Sequence, residues 1–364
     1  MSTTRTIVMV CGETSGDMHG STLVARLRER LGDVRILAMG GERCRTAGAE
    51  VRFDYHDYAI LGFTGVLANL FRLWKLERSL KRLIDSADLF IAVDYPGLNL
   101  RLAAYAKRRG VPVLYYISPQ VWAWGEKRVQ KMKTTIDRLA VILPFEQEWF
   151  RQRGMQVEYV GHPFVVDHPL PPAPPEGERS GLGVLPGSRV QEVERILPSM
   201  LGAAQELGAA PVRVARSATV PAGVYDRILA DAGVEAELVD DPIAVMGGST
   251  VALVASGTAT LQTALMGTPL VVVYRVNALN YVLAKRVITI DSIGLVNVTL
   301  GERVAPELIQ GDATPQRIAD EAGRLLSDEN LRRDMRERFE GLRDQLGGGE
   351  GCRRVAEIAA ELMS

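Results

Sequence analysis

Short apolar runs recur along the chain, and each is followed by a longer stretch with the spacing of a helix. The runs are continuously apolar and rich in β-branched residues, a pattern typical of parallel strands that are buried on both faces. They form two series, so the sequence predicts two doubly wound α/β domains with Rossmann-like parallel sheets. The predicted strands are 6–10, 89–93, 113–117, 139–143 and 157–160 in the first series and 183–185, 212–215, 251–254 and 270–274 in the second.

A proline-rich segment separates the two series. Five prolines fall between Pro169 and Pro175, and such a stretch forms a stiff, extended connection that buries little. We therefore predict an N-terminal domain of residues 1–165, a linker of 166–180 and a C-terminal domain of 181–345. The alternative is a surface loop within one domain. Residues 346–364 form a last helix behind a glycine-rich hinge, and this helix would pack on the N-terminal domain or on a partner chain.

Composition and charge exclude several classes of protein. Apolar residues make up 47% of the chain and charged residues 24%, which predicts true cores and excludes wholesale disorder. The net charge of −1 provides no basic excess for a nucleic-acid partner. Three widely spaced cysteines argue against a disulfide scaffold and for a reducing compartment. The N-terminus indicates a buried strand instead of a signal peptide. The sequence contains no run of about 18 apolar residues, so it predicts no membrane-spanning helix.

The first candidate site is CGETSGDMHG, which follows the first predicted strand. Ligands of parallel α/β sheets bind outside the carboxyl ends of the strands. The glycines permit a tight turn, and Glu13, Ser15 and Asp17 would place polar groups at the crevice. The segment lacks the GxGxxG fingerprint, which removes the main support for a nicotinamide dehydrogenase. The alternative is that Ser15 or Asp17 caps the next helix.

Asp94 follows the predicted strand 89–93 directly. An acid at this position costs free energy unless it faces a polar cleft or has partners. A carboxylate in such a cleft can act as a general base, so Asp94 is the candidate base. A helix cap or an ion-pair partner is the alternative. Asn99 lies a few residues further on and would orient the substrate.

Other predicted strands of the first half also end in polar and aromatic residues. SPQVWAW brings Gln120, Trp122 and Trp124, while PFE at 144–146 and GHP at 161–163 follow the next two strands. Aromatic side chains at a strand end can form a wall for a sugar or an apolar group, although core packing is their commoner role. His162 would face the same crevice.

Two turns of the second half have the chemistry of anion sites. LPGSR and ASGTATL each stand between a buried strand and a helix. Backbone N–H groups at a helix start hold anions, and an arginine adds a bidentate contact, so two such turns suit a diphosphate. Neither turn is a P-loop and no metal-ligand spacing occurs, so the diphosphate would need no metal. The donor-site candidates are Gly187, Ser188, Arg189, Ser256, Gly257 and Thr258.

The segment VAPELIQ near 304–310 supplies a last pair of candidates, Glu307 and Gln310. A carboxylate at this position could accept hydrogen bonds from both hydroxyls of a ribose, as an acidic residue does in other nucleotide-binding folds.

Together these segments resemble the lipid-A-disaccharide synthase family, glycosyltransferases of GT-B architecture with two Rossmann-like domains and a cleft between them. The shared motifs run in the family's order from GETSGDMHG through VDYPGLN, SPQVWAW, LPFE, VGHP, LPGSR and ASGTATL to PELIQ, over roughly residues 7–315. The resemblance implies an inverting transfer that joins UDP-2,3-diacylglucosamine to 2,3-diacylglucosamine 1-phosphate. Its products are UDP and the β(1→6) disaccharide of lipid A, and no cofactor is implied.

The resemblance also implies roles for single residues. The nucleotide would lie in the C-terminal domain, with Arg189 on the donor, the loop after strand 251–254 on the diphosphate and Glu307 on the ribose. Asn297 matches the asparagine of the family's Leu-Pro-Asn motif. The lipid acceptor would lie in the N-terminal domain, where Asp94 would deprotonate its 6-hydroxyl. The acceptor and cleft candidates that the residues themselves supply in this domain are Glu13, Ser15, Asp17, Asn99, Gln120, Trp122 and His162.

Some positions depart from the family's usual residues. The family usually has Glu at the position of Gly65, Arg at that of Gly125, Glu at that of Gln262 and Pro at that of Val296. It usually has Asp-Phe-Asn where this chain has Gly-Leu-Asn, beginning at Gly97. Several of the lost groups are charged and belong to the acceptor side. Two alternatives therefore stay open: a GT-B transferase with another UDP-sugar or acceptor, and a non-catalytic relative that binds nucleotide sugars or lipids.

Residues 66–84 are amphipathic and would bring such an enzyme to the acyl chains of its substrates. An apolar face followed by a basic collar suits insertion into an anionic membrane surface. The prediction is a cytoplasmic protein, peripheral on the inner face of the bacterial inner membrane, with a homodimer as one arrangement. The alternative is an ordinary buried helix with solvated charges. The face consists of Leu67, Leu70, Phe71 and Trp74, and the collar of Arg78, Lys81 and Arg82.

Overall fold

The computed structural model describes residues 4–58, 66–172, 174–277 and 291–364, without the side chains of 66–70 and 124. The chain divides into two units, one formed by Met1–Pro169 with Leu346–Ser364 and the other by Leu170–Gln345. Each unit is built around its own parallel sheet, so the predicted fold class is confirmed. The division after Pro169 falls inside the proline-rich segment.

The first unit contains a seven-stranded parallel sheet. Its strands are β1 (Arg5–Cys11), β2 (Val34–Gly40), β3 (Glu50–Asp54), β4 (Leu89–Val93), β5 (Val113–Tyr116), β6 (Arg138–Val141) and β7 (Glu158–Tyr159). Their order is β3-β2-β1-β4-β5-β6-β7. The chain winds outward from β1 in one direction and from β4 in the other. The crevice between such a pair, at the carboxyl ends of the strands, is the usual ligand site of a doubly wound sheet.

Helices cover both faces of this sheet. Successive side chains of a strand point to opposite faces, so Val8 and Val10 pack in one core while Ile7 and Met9 pack in the other. The helices are α1 (Thr14–Leu31), α2 (Glu42–Thr46), α3 (Val66–Ile84), α4 (Pro96–Arg108), α5 (Val121–Trp124), α6 (Arg128–Thr135), α7 (Pro144–Gln152) and α8 (Pro163–Val166), with a 3-10 turn at Tyr55–Tyr58.

The second unit repeats this plan with six parallel strands. They are β8 (Leu182–Leu185), β9 (Val212–Ala215), β10 (Glu237–Val239), β11 (Val251–Ala255), β12 (Leu270–Tyr274) and β13 (Glu307–Ile309). The order β10-β9-β8-β11-β12-β13 places the switch point between β8 and β11. The described helices are α9 (Val190–Leu207), α10 (Ala222–Ala232), α11 (Pro242–Gly248), α12 (Thr258–Leu265), α13 (Leu295–Leu300), α14 (Pro315–Ser327), α15 (Glu329–Glu340) and α16 (Leu342–Leu346).

The last helix, α17 (Cys352–Leu362), is part of the first unit and packs against α1. Its first amide, Cys352 N, donates to both carboxylate oxygens of Asp167, at 3.0 and 3.1 Å. Val355 and Ile358 are buried in the core on the α1 face of the sheet. Apolar burial and an N-terminal cap therefore both hold this helix on its own chain. The homodimer stays a prediction.

The second half of the predicted linker is folded onto the second unit. Glu176 forms ion pairs with Arg332, at 3.1 Å, and with Arg336, at 2.5 Å, both on α15. The buried Arg179 donates to the carbonyl oxygens of Pro174 and Met266, at 3.0 and 2.9 Å. These contacts anchor the chain immediately before β8.

Candidate active site

The loop after β1 lies at the switch point of the first sheet. Glu13 and Ser15 are exposed there, on either side of the residue at which α1 begins. Asp17 is turned inward instead: its Oδ1 accepts from Gly41 N at 2.6 Å and from Cys44 N at 3.2 Å, and its Oδ2 from Arg43 N at 3.2 Å. The expectation that Asp17 lines the crevice is therefore wrong. Its carboxylate is occupied by the unpaired amides at the start of α2.

Asp94 follows β4, the strand that neighbours β1, and is half-buried. Asp94 and Tyr95 both have left-handed backbones, with φ of 46° and 47°. This conformation costs a residue other than glycine on the order of 1–3 kcal/mol and persists only where the surroundings enforce it. Two consecutive residues of this kind at a switch point support the interpretation of Asp94 as a functional group.

Asn99 does not face a substrate, because its side chain is fully buried. Its Nδ2 donates to Val10 O at 3.2 Å, to Val93 O at 3.3 Å and to Asp94 O at 2.7 Å. The amide thus joins the carboxyl-terminal parts of β1 and β4 to the strained turn. The prediction that Asn99 orients the substrate directly is wrong, since only backbone groups reach its nitrogen.

The SPQVWAW segment contributes one exposed and one buried residue. Gln120 is exposed where α5 begins, so its contact with an acceptor stays a prediction. Trp122 is only 5% exposed, and its ring packs edge-on against Phe145 at 5.1 Å. The core interpretation of Trp122 is therefore the better one.

Glu146, in the PFE segment, is a buried acid that the sequence analysis did not single out. It accepts from Trp122 Nε1 at 3.1 Å and from Leu143 N at 3.1 Å, one bond on each oxygen. Burial raises the pKa of Glu146 to about 7, although these donors counteract the shift. The signal that could have found it is an acid three residues after a strand end, which is the third position of a helix. Glu146 holds the SPQVWAW segment in place.

His162 caps a helix and does not line the crevice. It is 2% exposed, and its Nδ1 accepts from Phe164 N at 3.2 Å, at the start of α8. Its ring lies 5.2 Å from that of Phe164, and the ring of His19 lies 6.1 Å from the same phenyl group. The prediction that His162 faces the crevice is wrong, because its buried ring accepts the hydrogen bond from the first N–H group of α8.

This histidine cluster predicts sensitivity of the first unit to acid. Burial, with smaller contributions from His162 and His168, lowers the pKa of His19 from 6.5 to about 3. Below pH 6.5 the unfolded chain therefore binds a proton that the folded chain does not, and stability is lost as the pH falls. Between pH 7 and pH 5 this difference lowers the free energy of unfolding by about 2 kcal/mol.

The replacement His19→Leu should remove this contribution and a buried nitrogen, Nδ1, that has no partner among the described residues. Urea unfolding followed by tryptophan fluorescence at pH 7 and pH 5 measures the effect. His56→Leu, at an exposed histidine, is the control. The same loss of stability at pH 5 in His19→Leu as in the unaltered protein would contradict the prediction.

In the second unit, the LPGSR segment follows β8 at the switch point. Gly187 has a φ of +104°, and Arg189 is the residue immediately before α9. The Arg189 side chain is 64% exposed and pairs with Glu192 at 3.0 Å. Glu192 also accepts from Ser188 N at 3.3 Å. A carboxylate of the chain itself thus occupies the position of an anion at this turn, and a bound phosphate would compete with it.

The ASGTATL segment follows β11, the neighbour of β8. Ser256 Oγ donates to Ile293 O at 2.9 Å, so its hydroxyl supports a neighbouring segment. Gly257 has a φ of +150°, and nothing lies within 4 Å of the position of a Cβ on it. Gly257 and Thr258 are exposed at the start of α12. The open backbone at a helix start is suited to a phosphate group.

Glu307 and Asn297 form an internal network in place of a ribose site. The Glu307 side chain is 0% exposed. It accepts from Ile293 N at 3.0 Å, from Gly294 N at 2.9 Å and from Asn297 Nδ2 at 2.8 Å. Asn297, 1% exposed, also bonds the backbone of Val304 and Ala305. The expectation that these two residues bind the donor directly is therefore corrected: their polar atoms are already used inside the unit.

Gln310 is bonded through only one of its two side-chain polar atoms within the described residues. Its Oε1 accepts from Val276 N at 3.2 Å, and its φ is +55°. Its Nε2 has no partner among the described residues. A contact from this amide to the donor stays a prediction. Within the described residues, no three His, Cys, Asp or Glu side chains are arranged to hold a metal ion.

Two Rossmann-like units, each with glycine-bearing loops at its own switch point, are the architecture of the GT-B fold. Solved structures of this fold match the whole chain. A putative UDP-N-acetylglucosamine 2-epimerase from Listeria monocytogenes has a TM-score of 0.67 at 11% identity, covering 99% of this chain and 96% of that one. The glycosyltransferase of kitacinnamycin has a TM-score of 0.64 at 17% identity, covering 100% of both chains.

Sequence comparison identifies the family within this class. The family profile described as lipid-A-disaccharide synthetase matches residues 7–361. The lipid-A-disaccharide synthase of Syntrophus aciditrophicus is 39% identical over 376 residues, covering 98% of this chain and 97% of its relative. The chain belongs to the lipid-A-disaccharide synthase family and is a glycosyltransferase.

Proposed function

We propose that the chain transfers the sugar of UDP-2,3-diacylglucosamine to 2,3-diacylglucosamine 1-phosphate, with inversion at the anomeric carbon. UDP and a β(1→6)-linked disaccharide phosphate are the products. The observation that carries this proposal is Asp94, held on a strained turn at the switch point of the first sheet in a chain of this family. A strained polar residue at such a position is typical of a catalytic group.

The donor belongs to the second unit in this proposal. The backbone around Gly257 and the turn before α9 supply amide groups for the diphosphate, and Arg189 supplies a positive charge. As the bond between the sugar and the diphosphate breaks, negative charge develops on UDP. Arg189 and the amide groups stabilise that charge. Arg189 leaves Glu192 for the phosphate, which is the stronger partner for a guanidinium group.

The acceptor belongs to the first unit. Asp94 takes the proton of the 6-hydroxyl as that oxygen attacks the anomeric carbon on the face opposite UDP. One carbon–oxygen bond forms, one carbon–oxygen bond to phosphate breaks, and the proton ends on the Asp94 carboxylate. A positioned base of this kind accelerates a transfer because the hydroxyl is a poor nucleophile while it keeps its proton.

The reaction is tested with the two substrates in mixed micelles without added metal. UDP release is followed continuously, and the lipid product is identified by mass spectrometry. UDP together with the disaccharide phosphate is the expected result. UDP without this disaccharide would show that the sugar passes to water or forms another linkage, and binding of the donor without UDP release would show a non-catalytic relative. Either of these results overturns the proposal.

Helix α3 is proposed to place the enzyme on the cytoplasmic face of the inner membrane. Phe71 and Trp74 are the large apolar side chains most exposed in the described part of the chain, at 56% and 54%, and their rings stack at 5.9 Å. Lys75 lies 4.6 Å from the ring of Phe71, and Arg78 lies 5.5 Å from that of Trp74. Paired aromatic rings beside cations suit the interface of an anionic bilayer.

The remainder of this helix supports the same arrangement. Leu76, Leu80 and Ile84 are buried in the core, so the exposed rings lie on the other face. Lys81 pairs with Glu77 at 2.7 Å, while Arg82 is exposed. Gly65 and the side chains of Leu67 and Leu70 lie outside the described residues. None of the described helices is long and apolar enough to cross a bilayer, and attachment at the surface needs no such helix.

The double replacement Phe71→Ser and Trp74→Ser should weaken binding to vesicles of anionic phospholipid by about 30-fold. About half of each side chain is exposed, so its transfer into the bilayer gives roughly half of the 1.5–3 kcal/mol of a fully buried aromatic group. Co-sedimentation with vesicles measures the effect. The double replacement Arg26→Ser and Glu29→Ser, at an exposed ion pair on α1, is the control. Equal binding by both double variants would contradict membrane attachment through α3.

A further inference from the structure

The turn that presents Asp94 is stabilised by groups outside it. Asp94 and Tyr95 both have positive φ, a conformation that is unfavourable for residues other than glycine. Asp94 N donates to Tyr116 O at 2.9 Å, which joins the turn to the end of β5. The ring of Tyr95 lies directly over Gly12: a Cβ on that glycine would be 2.2 Å from two ring carbons. The loop after β1 and the loop after β4 are therefore fitted to each other.

The carbonyl oxygen of Asp94 accepts two hydrogen bonds. One comes from Asn99 Nδ2 and the other from the hydroxyl of Tyr115, each at 2.7 Å. Asn99 lies in the helix that follows the turn, and Tyr115 lies in β5, the strand next to β4. The two donors approach from different elements. Together they restrict rotation of the peptide group that carries the Asp94 carbonyl, and this group sets the direction of the Asp94 side chain.

We propose that Tyr115 is a positioning residue for the transfer: its buried hydroxyl, together with the Asn99 amide, holds the Asp94 carbonyl and so keeps the carboxylate on the acceptor oxygen. This inference rests on the proposed function of Asp94 as the general base. Tyr115 lies on a predicted core strand and belongs to none of the sequence motifs, so the sequence alone does not indicate this role.

The surroundings of Tyr115 support this role. Its side chain is 0% exposed, so the hydroxyl has no contact with bulk water. Burial and then the charge of Asp94 raise the pKa of Tyr115 well above its usual value, which keeps the hydroxyl protonated and able to donate. Loss of this hydroxyl would leave the Asp94 carbonyl with one donor fewer.

The next residue provides a matched control. Tyr116 is equally buried, but side chains alternate along a strand, so it packs in the core on the opposite face of the sheet. Its hydroxyl lies 3.5 Å from Cys352 Sγ, near the start of α17. Tyr115→Phe and Tyr116→Phe thus each remove one buried hydroxyl from the same strand, and only the first removes a contact with Asp94.

Steady-state kinetics and the midpoint of thermal unfolding are measured for both variants. Tyr115→Phe should lower kcat by about 10-fold to 100-fold, because a small displacement of a reacting group has effects of this size. Its KM for the UDP-sugar should not change. Tyr116→Phe should lose a similar amount of thermal stability and keep its kcat. A kcat of Tyr115→Phe equal to that of Tyr116→Phe would overturn the proposal. The loss of a buried hydroxyl would then affect the two variants only through their stability.

Two further measurements separate this proposal from the assignment of the base. Asp94→Asn is assayed alongside: if it is inactive while Tyr115→Phe is normal, only the positioning role fails, and if Asp94→Asn is fully active, both assignments fail. Hydrogen exchange of the peptide that spans residues 94–99 does not depend on activity. It should be faster in Tyr115→Phe than in Tyr116→Phe, and equal exchange would show that the hydroxyl does not hold the turn.

Discussion

Replacement of Asp94 by asparagine should lower kcat by about 10³-fold, within the range contributed by a positioned general base. The amide has nearly the same shape as the carboxylate, so the turn and its hydrogen bonds to Asn99 and Tyr115, which use the backbone carbonyl, should persist. Binding of the donor should not change, because the proposed donor groups belong to the second unit. The rate of UDP release and a calorimetric titration with UDP measure the two quantities.

Asp88→Asn is the control for this experiment. Asp88 stands immediately before β4 and accepts from Thr6 N at 2.7 Å, at the amino end of the sheet, whereas Asp94 stands at the carboxyl end of the same strand. An amide oxygen can still accept that bond, so kcat should stay at the value of the unaltered protein. Asp94→Asn turning over as fast as Asp88→Asn would exclude Asp94 as the base.

Glu307→Ala should lower the free energy of unfolding of the second unit by about 3 kcal/mol or more, since each buried donor left without an acceptor costs roughly 1–3 kcal/mol. The donors are Ile293 N, Gly294 N and Asn297 Nδ2. The segment they belong to also carries the carbonyl that accepts from Ser256. UDP affinity should therefore fall together with stability.

The distribution of tryptophan gives this experiment an internal reference. All four tryptophans, at positions 74, 122, 124 and 149, belong to the first unit. Far-ultraviolet circular dichroism should show an earlier transition in Glu307→Ala, while tryptophan fluorescence should not. Glu321→Ala, at a half-buried acid paired with the exposed Arg324, is the control. A Glu307→Ala protein of unaltered stability that binds UDP weakly would instead restore the ribose role.

The strands that the sequence predicted are central ones apart from β7, and three of the four that it did not predict lie at the edges. β1, β4, β5 and β11 are buried on both faces, which requires continuous apolar runs. β3, β10 and β13 lie at sheet edges and have three to five residues, with one or two apolar positions facing a core. Such segments have too little apolar periodicity to differ from a loop. The exception is β2, a mainly buried strand whose apolar run was overlooked.

The candidate site was predictable in position but not in orientation. Strand ends and glycine turns showed which loops meet at each switch point. The direction of a polar side chain depends on backbone groups that are distant in sequence: Asp17 turns inward because amides of 41–44 lack acceptors, and Glu307 because those of 293 and 294 do. For the same reason Glu146 and Tyr115 were missed. Each is a polar residue on or beside a core element, and only its partners show its role.

The placement of α17 has a consequence for the order in which the units can form during synthesis. The second unit, Leu170–Gln345, lies between the two segments that make up the first. All of its strands are translated before Cys352 is reached, so its sheet precedes the last helix of the first unit in the order of synthesis. The first unit still lacks Val355 and Ile358 of its core at that moment. The unit that begins the chain is thus the last whose sequence is completed, and a chain arrested shortly before residue 352 would lack the helix that buries part of one face of its sheet.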